Sequence, residues 1–574
     1  MSAMKRFSRV LLLLLGAVLG LSACDVLEEE IVSGITVDAY YNTPQGLRDA
    51  VNASYSFLRN FYADEQGANL TVFGTDATTN GGHGSFQYMN QYTAQLNGDA
   101  TPVNVLWDVF YTGINTTNAA ISRAAEITDM SEAEKNRLVG EAKFLRAHFY
   151  FILVQTFGPV HLTLEETQGM ELEANRTPEP GIYDAIEQDL RDAIAALPAT
   201  PPQWGRATEP AAKHMLALVL LTRAWKKTLP TNLNGWGSAP GRPAEADFTE
   251  AYELARSVIE DYNFHLLDRY AAVFDHDNEQ HAEVIWSVQY NQDPRLNGFD
   301  GSGNPLGNRM HLFFRPHYEF YNPGITRSLE PGYGRPWIRF RPTQWGLENF
   351  RAAAPLDVDC RYHDIFQDVW YYNDPNNGNM PPGAAVGDTA IWVSPNNGIT
   401  PEEIQAIRER NPGAVITTWE QRPINLFPSL KKFDDWKRES VNYTAGSRDF
   451  IVYRLAETYL NAAEALLMLG RTAEATAYVN AVRRRAACPG VGNEAIDITP
   501  VQLDLDFLLD ERSRELYGEQ KRWFDLKRTG KLLERTRKYN PEAAPNIREY
   551  HLLRPIPTNQ ILRSFPRYPQ NPGY

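Results

Sequence analysis

The sequence predicts a mainly α fold, in which helical hairpins build a scaffold that carries a large loop-rich, partly β region. Three observations predict it. Apolar residues recur at helical spacing through the first half of the 574-residue chain and again in its last quarter. Between about 290 and 447 that spacing gives way to Pro-, Gly- and Asn-rich stretches such as "YNDPNNGNMPPGAAVGD". Seven of the twelve tryptophans nevertheless lie between Trp286 and Trp436. Disordered segments are poor in aromatic residues, so this irregular region is expected to be folded and, as a long ordered loop region, to carry the activity.

The chain opens with Lys5, Arg6 and Arg9, and residues 10–21 are uncharged and mostly apolar. As a helix that run reaches roughly 18 Å, too short for a hydrocarbon core of about 30 Å. A cleaved leader over 1–23 fits instead, with Ser22 and Ala23 as small residues before the cut. Leu21-Ser22-Ala23-Cys24 also resembles the bacterial lipobox, in which Cys24 would carry a covalent lipid. A plain leader with an incidental cysteine is the other reading of the same residues. Two or three acyl chains anchor far more firmly than one. The mature chain, 24–574, is read as one composite domain with its helical scaffold at about 40–270 and 448–535.

Helical patterns run over about 44–61, 103–126, 181–197, 209–228 and 248–262. A longer one begins at Ser131, whose hydroxyl and Glu134 have capping-box form, and stops at Gly158-Pro159. Residues 149–154 within it are apolar on every side, which predicts a central buried helix. Thr208 is placed to cap the helix at 209, with Pro210 in its first turn. Near the C-terminus Ile451, Leu455, Tyr459, Ala462, Leu466 and Leu469 share one helix face, which Gly470 ends. Ala475, Val479, Val482 and Ala486 mark the inward face of the next helix. That pair, "LLMLGRTAEATAYV", resembles a tetratricopeptide-type hairpin.

With 71 acidic against 56 basic residues and a net charge of −15, the chain is a poor partner for nucleic acid, whose binding needs phosphate neutralisation. The basic run 521–538 is interleaved with Asp525 and Glu534 and reads as a paired helix face. Besides Cys24 there are only Cys360 and Cys488, which could pair, although nothing in their positions shows that they meet. No Cys/His spacing suggests zinc. Asp275-His276-Asp277-Asn278-Glu279 lacks the glycine and distal glutamate of a calcium loop and reads as a turn before the strand "EVIWSVQY". No metal or cofactor is therefore expected, and no HExxH, GxSxG or phosphate-binding loop defines an enzyme class.

The block "DERSRELYGEQKRWFDLKR" places Glu511, Glu515, Glu519 and Arg522 on one helix face. Two carboxylates about 5–9 Å apart would suit glycoside hydrolysis. Lys521, Arg522 and Arg528 lie close by, however, and cations depress a carboxyl's pKa where a general acid needs it raised. A buried ion-pair network tying helices together is the expectation.

Several blocks resemble the SusD/RagB family of surface lipoproteins. They include "GEAKFLRAHFYFILVQTFGPV", "YDAIEQDLRDAIAALP", "GRATEPAAKHMLALVLLTRAW", "FIVYRLAETYLNAAEALLMLG", "ERSRELYGEQKRWFDLKRTGKL" and the terminal "LLRPIPTNQI…QNPGY", and together they cover nearly the whole mature chain. The resemblance implies a non-catalytic, SusD-like binding protein with Cys24 acylated, on the outer face of an outer membrane. It implies a SusC-like TonB-dependent transporter as partner and oligosaccharides as ligands, with peptides in the RagB branch as the alternative. A surface hydrolase is the rival from a different class.

A sugar offers an apolar C–H face and a polar rim, which suits flat rings beside Arg, Asn or Gln. Two stretches have that composition. "FGTDATTNGGHGSFQYMNQYTAQ" carries His83, Phe86, Tyr88 and Tyr92, and "PGYGRPWIRFRPTQW" carries Tyr333, Trp337 and Trp345 beside Arg335, Arg339 and Arg341. These are the expected ligand-binding residues, whereas Trp107 and Trp523 lie in helical blocks and are assigned to the core.

The acidic run Glu28-Glu29-Glu30 resembles the export tag of surface lipoproteins. Replacing all three with Ala is expected to reduce protease accessibility on intact cells; unchanged exposure would make the run a spacer.

Overall fold

The computed structural model describes residues 40–230, 243–299 and 303–574. The leader, Cys24 and Glu28-Glu29-Glu30 lie outside them. The scaffold is built from α1 (Pro44–Ser56), α2 (Thr101–Arg123), α3 (Glu132–Phe157), α4 (Glu179–Ala196), α5 (Glu209–Thr228), α6 (Ala244–Glu260), α7 (Leu455–Met468) and α8 (Thr472–Arg485). Each packs on the next in this order. Thr43 and Thr208 cap α1 and α5 by accepting the N–H groups of Gly46 and Ala211. Ser131 accepts the Glu134 N–H, but the Glu134 carboxylate turns to Arg48 at 2.8 Å, so only half of the expected capping box forms. Residues 149–154 are buried all round, as their composition predicts.

The contact of α6 with α7 is the key to the topology, because the whole segment 261–454 is an excursion between them. Among the described residues its strands are short. With one strand from the first half, they are β1 (Thr78–Asn80), β2 (Val284–Val288), β3 (Phe340–Pro342), β4 (Phe366–Gln367), β5 (Val369–Tyr371), β6 (Thr389–Ser394), β7 (Val415–Thr418), β8 (Ser429–Leu430) and β9 (Phe450–Arg454). β5-β6-β7 form one sheet, and β1-β3, β2-β9 and β4-β8 are two-stranded. The antiparallel β2–β9 pair closes the neck of the excursion just before α7. Ile451, expected on a helix face, is in β9 opposite Ser287, because the ladder with β2 takes the backbone bonds a helix would need. A helix over Pro401–Arg410, with a full Thr400–Glu403 capping box, lies within the stretch that shows no helical pattern. Cys360 and Cys488 form a disulfide, with Cα atoms 4.9 Å apart, that ties the excursion to the end of α8.

The main apolar core runs unbroken through scaffold and excursion. Through it passes the charge network predicted from the glutamate spacing, centred on α9 (Leu505–Glu515) and the turn leading to α10 (Arg522–Arg528). Glu511 meets Arg361, Arg483 and Arg514 at 2.6–2.8 Å. Glu515 meets Arg361 at 3.2 Å and Arg454 at 2.7 Å, and it also pairs with Arg485. Glu519 meets Arg454 and Lys432, and Glu283 of the neck region meets Arg454 and Arg485. Arg522 instead reaches Asp76 at 2.6 Å. Burial alone would push the Glu511 carboxyl up, but Arg361, Arg514 and Arg483 outweigh it and hold it well below the ordinary range. Glu515 and Glu519 are held down in the same way, the first mainly by Arg485 and Arg454 and the second mainly by Arg454 and Lys432, in each case against burial.

Removing one member of such a network strands the others without counter-charge. Glu515→Ala is expected to destabilise the protein by about 3–5 kcal/mol in urea unfolding, far more than an exposed pair would. At the neck, burial and the Asp449 carboxyl push Glu279 up from 4.5 to about 7. A raised carboxyl pKa favours the folded state fully below about 4.5 and loses that contribution as pH climbs through 7. The urea midpoint is therefore expected to fall between pH 5 and 8 more steeply in the native protein than in Glu279→Gln; equal slopes would refute the assignment.

Candidate functional site

The β1–β3 pairing joins the two aromatic stretches. Its register sets Asn80 opposite Phe340, and the ladder continues as the Gly81 N–H donates to Arg339 O (2.8 Å) and the His83 N–H to Ile338 O (3.3 Å). The excursion backbone behind is fixed too, since Trp337 and Arg339 donate their N–H groups to Leu312 O and Phe313 O, both at 2.9 Å.

His83, Trp337 and Arg339 meet here. Arg339 is buried; its guanidinium pairs with Glu65, donates to His83 Nδ1 and lies 5.4 Å from the centre of the Trp337 ring. Burial and the Arg339 charge lower the His83 pKa, so the ring is neutral near pH 7. Its Nδ1 accepts from Arg339 and from the Ser85 N–H, which leaves the proton on the exposed Nε2. Arg339 is thus a wedge that orients two rings. Trp337 is half-buried with one side against Phe313, and Phe86 and Tyr88 are half-buried with centroids 6.2 Å apart. Arg335, part exposed, donates to Asn442 O at 3.3 Å and has no carboxylate within ion-pair distance among the described residues.

Of the expected ligand residues Tyr92, Tyr333 and Arg339 are buried, and Trp345, half-buried, is covered by a ring of the protein itself. Tyr92 is 2% exposed and donates to Gly74 O at 2.8 Å. It follows the short helix Gln87–Gln91 at φ +52°, a left-handed turn at the point where its ring enters the core. Tyr333 is buried, its hydroxyl accepting the Tyr371 N–H at 3.1 Å. Trp345 stacks on Tyr539 (4.9 Å, 28°), with Arg535 and Arg522 over it, and so fastens the excursion to the C-terminal helices. Arg341 is used in the same way, by Glu542 at 2.8 Å. Trp107 and Trp523 are core, as assigned.

The structure adds residues that sequence reasoning passed over. A Cβ on Gly82 would lie 1.4 Å from Asn425 Oδ1, so the first loop touches the 422–426 segment, and the Asn425 carbonyl accepts the His317 N–H at 2.8 Å. His317 stacks on Phe320 (5.5 Å, 27°), and Phe320 meets Tyr321 edge-on at 5.4 Å. Phe320 is 69% exposed, which is uncommon for so large a ring. The signal was the aromatic density of "HYEFYNPG" before an Asn-Pro-Gly turn. Rings, an imidazole N–H, a guanidinium without a carboxylate partner and an amide thus stand on segments that touch one another, which together form a rim.

Among the described residues no group of three or more His, Cys, Asp or Glu side chains is arranged to hold a metal. Asp275 accepts the Asp277 N–H (2.9 Å) and its carbonyl accepts the Asn278 N–H (3.1 Å), which makes 275–279 a capped turn before β2. Among the same residues no helix is long and apolar enough to cross a membrane.

Fold and site together define a helical-hairpin scaffold that presents an aromatic and cationic rim on an inserted loop region. The family model described as "SusD family" matches residues 282–574, and one described as "Starch-binding associating with outer membrane" matches 41–221. The chain belongs to the SusD family. It is 26% identical to SusD-like protein P2 of Formosa agariphila, with both chains covered in full. It is 24% identical to the starch-binding protein SusD of Bacteroides thetaiotaomicron over 78% of this chain and 74% of that one. Among solved structures, a SusD homologue from Bacteroides thetaiotaomicron superposes with a TM-score of 0.71 (21% identity, 95% of this chain and 100% of that one). A laminarin-binding SusD-like protein superposes with 0.66 (23% identity, 93% and 100%).

Proposed function

We propose that this protein captures oligosaccharides at the outer membrane and hands them to a SusC-like TonB-dependent transporter, without breaking bonds. The observation that carries the reading is the rim of His83, Phe86, Tyr88, Phe320 and Trp337, flat rings flanked by His83 Nε2, Arg335 and Asn425. Family membership supports it, since relatives are described as starch- and laminarin-binding and one solved relative is in complex with laminarihexaose. The carboxylates best spaced for glycoside hydrolysis, Glu511 and Glu515, are held ionised among guanidiniums, contrary to what a general acid needs. Lipid attachment at Cys24 and an outward orientation belong to the same proposal.

Ring stacking contributes about 0.5–1.5 kcal/mol each, so three rings together reach at most about 4.5 kcal/mol, near a millimolar dissociation constant. Binding useful to a cell therefore needs several sugar units on the rim at once. The uncompensated Arg335 favours one second reading, an acidic peptide or glycan in place of a neutral one.

A glycan and peptide panel tests these readings. The first ligand found is expected to bind Trp337→Ala, Tyr88→Ala and Phe320→Ala about tenfold more weakly. Undiminished binding to all three would remove the site assignment, and accumulating cleavage products would remove the binding-only reading. Recovery with a large β-barrel from solubilised outer membrane is expected; consistent isolation of the free protein would refute the transporter partnership.

A further inference from the structure

A second concavity, of about 390 Å³, shares no residue with the rim. It lies where α1, the turn Phe57–Asn60, the loop before α5 and the end of β2 meet, and its size is in the range of small-molecule sites. Gly205, at φ +86°, makes it possible: a Cβ there would lie 2.5 Å from Gln289 Cδ, and its carbonyl accepts the Trp286 indole N–H at 2.9 Å. The neighbouring Trp204 is held at the cleft by that turn, half-buried.

The polar groups around Trp204 are in an unusual state. Arg59 donates from Nε to Gln289 O (2.8 Å) and from Nη1 to Asn297 O (3.2 Å), while Nη2 has no partner and no carboxylate lies within ion-pair distance among the described residues. Arg206, by contrast, is neutralised by Glu141 at 2.6 Å. Arg206 also takes the side-chain oxygens of Asn52 and Gln203, at 2.5 and 3.1 Å, which leaves both NH₂ groups unpaired. The Trp204 Nε1 and Ser287 Oγ are shielded from water and turned toward the buried Asp449 carboxyl, whose pKa they lower against the effect of burial. The cleft thus offers donors to a ligand: the Arg59 Nη2 and the NH₂ groups of the exposed Asn52 and Gln203, beside the half-buried Trp204 ring. Arg59 has the Asp449 carboxyl in electrostatic range but beyond ion-pair distance.

We propose that this cleft is a second sugar subsite, selective for a carboxylate-bearing pyranose such as a uronic acid. The carboxylate is held by Arg59, the ring lies on the Trp204 indole, and the hydroxyl oxygens accept from the amides of Asn52 and Gln203. The proposal goes beyond the rim reading and is independent of it, since a protein whose rim bound nothing would still have this cleft.

The test uses the purified protein with 5-fluorotryptophan at its twelve tryptophans, followed by fluorine resonance during titration with glucuronate, methyl glucoside or acetate. The resonance that vanishes in Trp204→Phe belongs to Trp204. It is expected to shift saturably with glucuronate, and about tenfold more weakly with methyl glucoside or acetate, since each lacks one half of the recognition. Arg59→Gln is expected to weaken the glucuronate response about tenfold, while Trp337→Ala leaves it intact. A silent Trp204 resonance, equal affinity for methyl glucoside, or an unchanged response in Arg59→Gln would each overturn the proposal. Loss of the response in Trp337→Ala would place glucuronate on the rim and overturn it as well.

Discussion

Glu511, Glu515 and Glu519 are buried away from water, and their counter-charges come from both the excursion and the C-terminal part of the scaffold. Arg483 and Arg485 come from α8, Arg454 from the neck, and Arg361 and Lys432 from the excursion. Desolvating such charges costs several kcal/mol each, and only close, correctly angled partners offset it. A shift of the excursion relative to the scaffold would therefore leave charges unpaired in a dry interior. The network adds little stability over an apolar core; what it imposes is one position for the excursion.

That position is what assembles the rim. β1 belongs to the first half of the chain and β3 to the excursion, so their three-residue ladder forms only if the two bodies are held in register. The β2–β9 neck and the Cys360–Cys488 bridge constrain the same segment from either side of the network. With the backbone held, Arg339 fixes Trp337 and His83 by charge and hydrogen bonding. Rings placed before a ligand arrives lose less freedom on binding, which matters where each one contributes so little.

The irregular region illustrates how function is separated from framework here. Its tryptophans divide between those that lock it to the scaffold, such as Trp345, and those that remain partly open, such as Trp337. Both lie in one short stretch, so changing a framework ring would disturb the rim through the backbone without touching a ligand.

How much was legible follows from the range of each interaction. Helices, their caps and the strand at 284–288 depend on residues a few positions apart, so α5 was read to the residue and Gly158 and Gly470 as stops. The charge network was legible as well from glutamates at spacings of four beside arginines, although only Glu511 and Glu515 share the α9 face, Glu519 lying in the turn after it and Arg522 at the start of α10. The orientation of an aromatic side chain has no such local signature. Tyr92 and Phe86 lie in the same Gly- and Asn-rich loop, and it is contacts with Gly74, Trp523, His551 and Arg554 that hold Tyr92 inward. Tyr333 is buried and Trp345 stacked on Tyr539 for the same reason, Phe320 stands exposed, and the approach of Cys360 to Cys488 depends on contacts far along the chain. The sequence by itself determined the family, the scaffold and the chemical character of the two stretches. The tertiary structure decided which rings face outward, since burial is set by tertiary partners outside the local stretch, as far away as Trp523 is from Tyr92.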